Sequence, residues 1–330
     1  MRLWDCYYPT MPAFIAESAA APEMRRLQQV GMNCGCEYTS FPLFRTLRES
    51  YSRFDHSVGV ALITWRFTGE IRQALAGLFH DIATPCFAHV VDFMLGDSMK
   101  QEATEGGTRT IIEGSSRIQA ILGQYQLTTD DVADYHLYPI ADNDSPRLSA
   151  DRLEYTLGNL VNYGFIPRES VGGILDALAV LRGEDGREEL GFTDRDAALA
   201  LANGALDMGE IYVSEPDRFS MQTLAELLAG ARDAGVIAME DLWQDEPALI
   251  EKLCRNERTR AAWARYRRYS GILHGEGGRV VRAKKRWIDP LVRGQGRASQ
   301  MDAAFRRRVE AFLSAPQNAP MIGIPAAPDP

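Results

Sequence analysis

From Phe54 onward the apolar residues Val58, Ala61, Leu62 and Trp65 recur at intervals of three and four, and Ile71, Leu75, Leu78, Phe79 and Ile82 repeat that spacing until Thr84-Pro85 breaks it. A period of 3.6 residues puts such positions on one face, so two core-facing helices are predicted here. Ser149-Ala-Asp-Arg supplies a helix-start signal before a third, with Leu153, Leu157, Leu160, Val161 and Gly164 on one side. The same period runs through Ser170 to Leu181, Asp194 to Tyr212, Arg218 to Ala234, Glu246 to Tyr269 and Met301 to Leu313. Gly, Asp and Pro punctuate the chain at Gly106-Gly107, Asp142 to Pro146, Gly183 to Gly186 and Gly271 to Gly278, where turns are expected. Strand signals are scarce; Arg279 to Val292, β-branched and basic, reads as either a short strand or an extended arm. The expected fold class is all-α: a helical core over residues 1–165, C-terminal helices over 166–314 that complete the same fold, and an Ala- and Pro-rich, loosely ordered tail over 315–330.

Composition narrows the class. With 330 residues, 45% hydrophobic and 25% charged, the chain is neither disordered nor fibrous. Met1 to Ile15 lacks a basic start followed by a sustained apolar run, and no apolar stretch approaches the roughly 20 residues needed to span a bilayer. A cytoplasmic location and no membrane partner are therefore expected. Five cysteines, Cys6, Cys34, Cys36, Cys86 and Cys254, are odd in number and irregularly spaced, which suits reduced thiols. Cys34-x-Cys36 has no second cysteine pair with which to close a metal site. The net charge of −9 hides an asymmetry: Glu251 to Glu310 holds 17 Lys or Arg against 6 acids, so this basic segment (251–310) is +11 and the remainder −20. Such a segment either binds polyphosphate or nucleic acid or is the solvated face of helices that neutralise the acidic remainder.

The candidate chemistry lies in a few residues. His80 and Asp81 are adjacent at the end of the second predicted helix, Arg53-x-x-His56 begins the first, and Asp151 begins the third. Alone, a His is usually a hydrogen-bonded core or surface group, and an Asp before Arg is usually a cap. Together, two imidazoles and two carboxylates can hold a divalent cation, provided a bundle brings three helices together. Neighbours on a regular helix point about 100° apart, so His80 and Asp81 can act jointly only if the helix is ending there.

Four segments resemble the HD-domain metal-dependent phosphohydrolases, nearest to their dNTP triphosphohydrolase (dGTPase and SAM/HD) branch: Met24-Arg-Arg-Leu-Gln-Gln-Val-Gly31, Tyr51-Ser-Arg-Phe-Asp-His-Ser-Val-Gly59, His80-Asp-Ile-Ala-Thr-Pro-Cys-Phe-Ala-His89 with Asp92, and Ser149-Ala-Asp-Arg-Leu-Glu-Tyr155. They cover about residues 20 to 165. The resemblance implies an HD-domain helical bundle with one divalent metal ion (Mn, Fe, Ni, Zn or Mg) on His56, His80, Asp81 and Asp151. It implies phosphate contacts from Arg53, Arg152 and Tyr155, sugar contacts from Gln29 and Asn159, and a catalytic pair in His89 and Asp92. Two departures stand out. Ala83-Thr84 replaces the family's Gly-His, and Gln101-Glu-Ala-Thr-Glu stands where the triphosphohydrolases carry a general-acid histidine. A carboxylic acid of raised pKa can serve that role, which makes Glu102 and Glu105 candidates.

His136, in Asp134-Tyr-His-Leu-Tyr-Pro139, lines the cleft mouth, adds a second metal ligand or is structural, the last being the default; His274 sits in a Gly-rich loop beside the basic segment. Lys284-Lys285-Arg286-Trp287 combines cations with an aromatic face suited to a base and its phosphates. The expected function is hydrolysis of a nucleotide or related phosphate ester or anhydride, as a triphosphohydrolase or a phosphomonoesterase. The alternative from another class is a nucleotide-sensing or nucleic-acid-binding module that has lost turnover. A homo-oligomer is expected by resemblance, since the family's members assemble.

Overall fold

The computed structural model describes residues 2–96, 98–99 and 107–327. Helix α1 (Arg53–Thr68) begins with a reciprocal cap: Ser52 Oγ accepts from Asp55 N at 3.2 Å while Asp55 Oδ2 accepts from Ser52 N at 3.0 Å. Such a box is worth on the order of 1 kcal/mol and fixes which residues fall in the first turn. Gly69, at φ +65°, closes the helix. It is followed by α2 (Ile71–Phe79), α3 (Val90–Met94) and α4 (Ala150–Asn162), the last started by Ser149 Oγ accepting from Arg152 N at 3.3 Å. Helix α1 packs against both α2 and α4. The predicted faces meet there, burying Val58, Leu62, Leu75, Leu78, Leu153 and Leu157 in one apolar cluster.

The second half adds α5 (Arg195–Tyr212), α6 (Glu215–Asp233), α7 (Glu246–Arg255), α8 (Glu257–Arg267) and α9 (Ala303–Ser314). Helix α5 packs on α4, and α6 packs on α3. A second apolar cluster forms around Phe41, Phe87, Phe219, Leu224, Leu253 and Tyr266. The predicted helix over Glu246 to Tyr269 is two helices, because Asn256 Oδ1 accepts from Arg258 N and Thr259 N and so starts α8 afresh.

The fold is predominantly helical but not strictly all-α. Its described strands are β1 (Leu178–Arg182), β2 (Glu188–Phe192), β3 (Tyr269–Arg279), β4 (Leu291–Val292), β5 (Gly296–Arg297) and β6 (Met321–Pro325). One sheet runs β1-β2-β4-β5, with β2 and β4 parallel and the other pairs antiparallel; the second is the antiparallel pair β3-β6. The helix expected to reach Leu181 stops at Asp176, since the turn at Gly183 to Gly186 lets Leu178–Arg182 pair as a hairpin with Glu188–Phe192. Gly271 to Gly278 is not a turn. It lies inside β3, whose partner β6 comes from the tail expected to be loosely ordered. Gly323 makes that pairing feasible, because a Cβ there would stand 2.2 Å from the Phe219 ring. Arg279 to Val292 is an extended arm that ends in β4.

Candidate metal centre

Residues from both halves line one cavity of about 620 Å³, among them His56, His80, Asp81, His89, Asp151 and Arg286. The capped start of α1 places Arg53 and His56 one turn apart, both buried. His80 caps the C-terminal end of α2, still with helical dihedrals, and the chain then tightens, with Ile82 N donating to Phe79 O at 3.0 Å and Thr84 N to Asp81 O at 2.9 Å. That tight turn brings Asp81 beside His80 despite their adjacency, as the sequence required.

His56 Nε2 lies 3.2 Å from His80 Nε2 and 3.0 Å from Asp151 Oδ1, and one ligand atom from each of the three residues falls within 4.8 Å of the others. Around a first-row cation, with bonds of about 2.0–2.2 Å, donor atoms stand roughly 3–4 Å apart. The donor set therefore fits a divalent metal: two imidazoles with their ring planes crossed at 77° and an ionised carboxylate. Asp81 Oδ2 is 3.9 Å from His56 Nε2 and 3.7 Å from His80 Nε2, but it also accepts from Arg53 Nη1 at 2.9 Å, while Oδ1 accepts from Thr84 Oγ1 at 2.8 Å. Burial pushes its pKa up, but Arg53, His80 and His56 outweigh that and hold it well below the usual carboxylate range.

Both imidazoles are oriented from behind. His80 Nδ1 is 2.7 Å from Gly77 O, so it carries the proton and turns Nε2 toward the cluster. His56 Nδ1 is 2.5 Å from Glu154 Oε2, and the same buried carboxylate accepts from Tyr51 Oη and, at 3.1 Å, from Tyr7 Oη. Burial works against charging His56, yet Asp151 and Glu154 raise its pKa to about 10. Asp151 and Glu154 are three apart on α4, so one helix face grips both nitrogens of one ring. Glu154, Tyr51 and Tyr7 were not singled out from sequence. The signal for Glu154 was its i+3 spacing from Asp151.

His89 lines the same cavity, its Nδ1 2.9 Å from Asp92 Oδ2; Asp92 is fully buried. Burial, reinforced by Arg286 and Arg53, lowers the His89 pKa despite Asp92. Phe87 and Ala88, just before it, adopt φ of +60° and +45° without being glycines. Such conformations cost on the order of 1–3 kcal/mol each and persist where surroundings impose them. Here Cys86 N donates to Leu242 O at 2.7 Å and the Phe87 ring is fully buried.

The other expected residues divide. Tyr155 and Asn159 line the cavity; Asn159 Nδ2 donates to Tyr212 Oη at 2.7 Å, while its buried Oδ1 has no partner among the described residues. Arg152 also lines it, but its guanidinium is turned to the neighbouring loop: Nε donates to Arg147 O at 2.6 Å, Nη1 pairs with Asp142 Oδ1 at 3.0 Å, and Nη2 donates to Asn143 Oδ1 at 2.5 Å. Gln29, expected at a sugar, is instead exposed outside the cavity, because Leu27 and Val30 are the residues of that turn that point inward. Glu102 and Glu105 lie outside the described residues. In the arm, Lys284 and Arg286 line the cavity, whereas Lys285 Nζ donates to Phe312 O, Leu313 O and Ala315 O at the end of α9 and Trp287 packs on the apolar cluster that α5 and α9 share, the alternation of an extended chain. His274 is 2.9 Å from Glu215 on the surface, away from the cavity. No helix among the described residues is long and apolar enough to cross a membrane.

No family model matches the chain. It is 25% identical over 203 residues to the uncharacterized protein YdhJ of Bacillus subtilis, a match covering 61% of each protein. It is 25% identical over 288 residues to the metal-dependent phosphohydrolase cns2 of Cordyceps militaris, covering 86% of this chain and 81% of that one. The chain thus spans about three fifths of the length of the first relative and four fifths of the second.

Proposed function

We propose that the protein is an HD-type metal-dependent phosphohydrolase acting on a nucleotide or related small phosphate compound. The observation that carries this reading is the meeting of His56, His80 and Asp151 at one point in a cavity whose other walls bring Arg53, His89, Lys284 and Arg286. Its similarity to a protein named a metal-dependent phosphohydrolase, over 86% of the chain, supports it.

His56, His80 and Asp151 would hold the ion, with Asp81 as a fourth ligand once its carboxylate divides between the ion and Arg53. A divalent cation there supplies Lewis acidity to a phosphoryl oxygen and lowers the pKa of bound water toward roughly 7. Arg53, fully charged and fixed by Asp81, sets a planar positive group beside the cluster. His89, oriented by Asp92, and the arm's Lys284 and Arg286 extend the wall that receives negative charge. Tyr155, Asn159 and Tyr212 offer neutral hydrogen-bonding groups for the remainder of the substrate.

The test joins metal analysis of purified protein to a screen of phosphate and nucleoside release from nucleoside mono- and triphosphates. Metal-loaded protein is expected to release product, and His80→Ala is expected to lose both metal and turnover. A nucleotide that raises the melting temperature without any product release would instead establish the binding-module reading.

A further inference from the structure

A hydrolysis that expels an alkoxide needs a proton donor, and the carboxylates at the cluster are ill suited to that task. Asp81 and Asp151 are turned to the cluster, where Asp81 Oδ2 accepts from Arg53 Nη1 at 2.9 Å and Asp151 Oδ1 lies 3.0 Å from His56 Nε2. His89 is disfavoured as a proton carrier, since burial and the charges of Arg286 and Arg53 oppose its cationic form.

On another wall of the cavity stands a second His-Asp pair. His136 Nδ1 lies 2.8 Å from Asp142 Oδ2. Asp142 is itself buried, and its other oxygen meets Arg152 Nη1 at 3.0 Å and Ser149 Oγ at 3.3 Å. Ser149 and Arg152 flank Asp151 at the start of α4, so the helix end that presents a metal ligand also anchors the partner of this imidazole. The ring is fixed twice more. Asp134 Oδ1 accepts from His136 N at 3.0 Å, and the Tyr135 ring packs at a tilt against both His136, with centroids 4.4 Å apart, and the metal-cluster residue His80, at 4.9 Å. With Nδ1 directed to Asp142, Nε2 is on the opposite edge of a ring that lines the cavity and whose side chain is 53% exposed.

We propose that His136 is the general acid of the hydrolysis, giving its Nε2 proton to the leaving oxygen while Asp142 and Tyr135 position the ring. The inference rests on the phosphohydrolase reading. In the step, the bond from phosphorus to the leaving oxygen breaks and its electron pair stays on that oxygen, which takes the proton from Nε2. A new bond forms from the water oxygen to phosphorus, the water's proton leaves to solvent, and solvent reprotonates the imidazole. His136, Tyr135 and the cluster residues His80 and Asp151 line the same cavity. A general acid of this kind contributes about 10²- to 10⁴-fold.

The test compares two leaving groups on the metal-loaded full chain: p-nitrophenyl phosphate, whose phenolate departs without a proton, and a nucleoside 5′-phosphate, whose alkoxide needs one. His136→Gln is expected to lose about 10²- to 10⁴-fold in kcat on the nucleotide and less than tenfold on the nitrophenyl ester, with KM little changed. Added imidazole is expected to restore nucleotide turnover to His136→Ala. Equal losses on both esters in the folded variant, or a leaving-group-dependent loss that appears in Asp217→Asn instead, would overturn the proposal; Asp217 is the comparison because burial raises its pKa to about 8 on the same cavity. Should the wild type release product from neither ester nor from any nucleoside triphosphate, the phosphohydrolase reading falls first and carries this one with it.

Discussion

Glu154 touches no part of the cavity, yet the metal cluster depends on it. Its carboxylate holds Nδ1 of His56 and is itself held by two tyrosine hydroxyls, so the ring is locked with Nε2 toward His80 and Asp151. Outer groups of this kind typically change metal affinity by 10- to 100-fold when altered. Glu154→Gln keeps the shape and the bond to a tyrosine but removes the charge that favours the Nδ1–H tautomer. Isothermal titration with Zn or Mn is expected to show binding weakened by about 10- to 100-fold with the fold retained. An unchanged dissociation constant would mean that the metal-facing nitrogen of His56 does not need the carboxylate behind its ring. Arg152 teaches the complementary lesson at this scale. The sequence motif puts it next to Asp151, where a phosphate contact is expected, but the guanidinium finds nearer acceptors in Asp142, Asn143 and Arg147. Motif spacing locates a Cα; the local supply of hydrogen-bond partners decides where five donors go.

At the scale of elements, α1 and α4 must approach closely enough for Glu154 and Tyr51 to lie between them. Gly59 and Gly158 permit it: a Cβ on Gly59 would stand 2.5 Å from Glu154 Oε1, and one on Gly158 would stand 2.4 Å from Tyr51 Oη. Helix propensity alone predicts that Gly158→Ala stabilises by about 1 kcal/mol. The geometry predicts the reverse, a loss of about 1–3 kcal/mol from overpacking, together with weaker metal binding as Tyr51 and Glu154 are displaced. Urea unfolding with and without metal measures both, and a stabilised variant would contradict the packing described here. The helices themselves were legible, because their apolar faces repeat at 3.6 residues and Ser52, Ser149 and Gly69 mark their ends. The strands were not, for two physical reasons. β1 carries leucine and valine in a run too short to separate a strand from a helical turn. β3 is so rich in glycine that it reads as a loop, and its pairing is set by Met321 to Pro325, some fifty residues onward. The donor residues of the cluster could be read from sequence since three helix ends carry them; the tyrosine-glutamate support could not, because it arises only when those ends meet.

Across the whole molecule, burial places acids between the two halves where ionisation is disfavoured. Glu37 is pushed up to about 8 by burial, and by the nearby Glu246 carboxylate. Glu246 accepts from Gly31 N at 2.8 Å and from Tyr38 Oη at 2.9 Å, joining the N-terminal segment to α7, while Glu37 Oε2 is buried without a partner among the described residues. The sign of the pH effect follows from linkage. A carboxyl whose folded pKa lies above its unfolded value of about 4.3 binds a proton more tightly when folded, so its stabilising contribution is complete below that value and is lost as pH rises through about 8. Asp217, raised to about 8 by burial, acts in the same direction, and so does His56 at higher pH, whereas the depressed Asp81 and Asp151 act only under strongly acidic conditions. Metal-free protein is therefore expected to lose melting temperature steadily between about pH 5 and pH 8. Glu37→Gln removes one titrating group without changing its size, so the difference in melting temperature between variant and wild type should shift in favour of the variant as pH rises across that window. Differential scanning calorimetry at matched ionic strength measures this difference directly. A difference that stays constant from pH 5 to pH 8 would show that Glu37 is ionised in the folded chain, and that the junction between the N-terminal segment and α7 tolerates two adjacent buried negative charges.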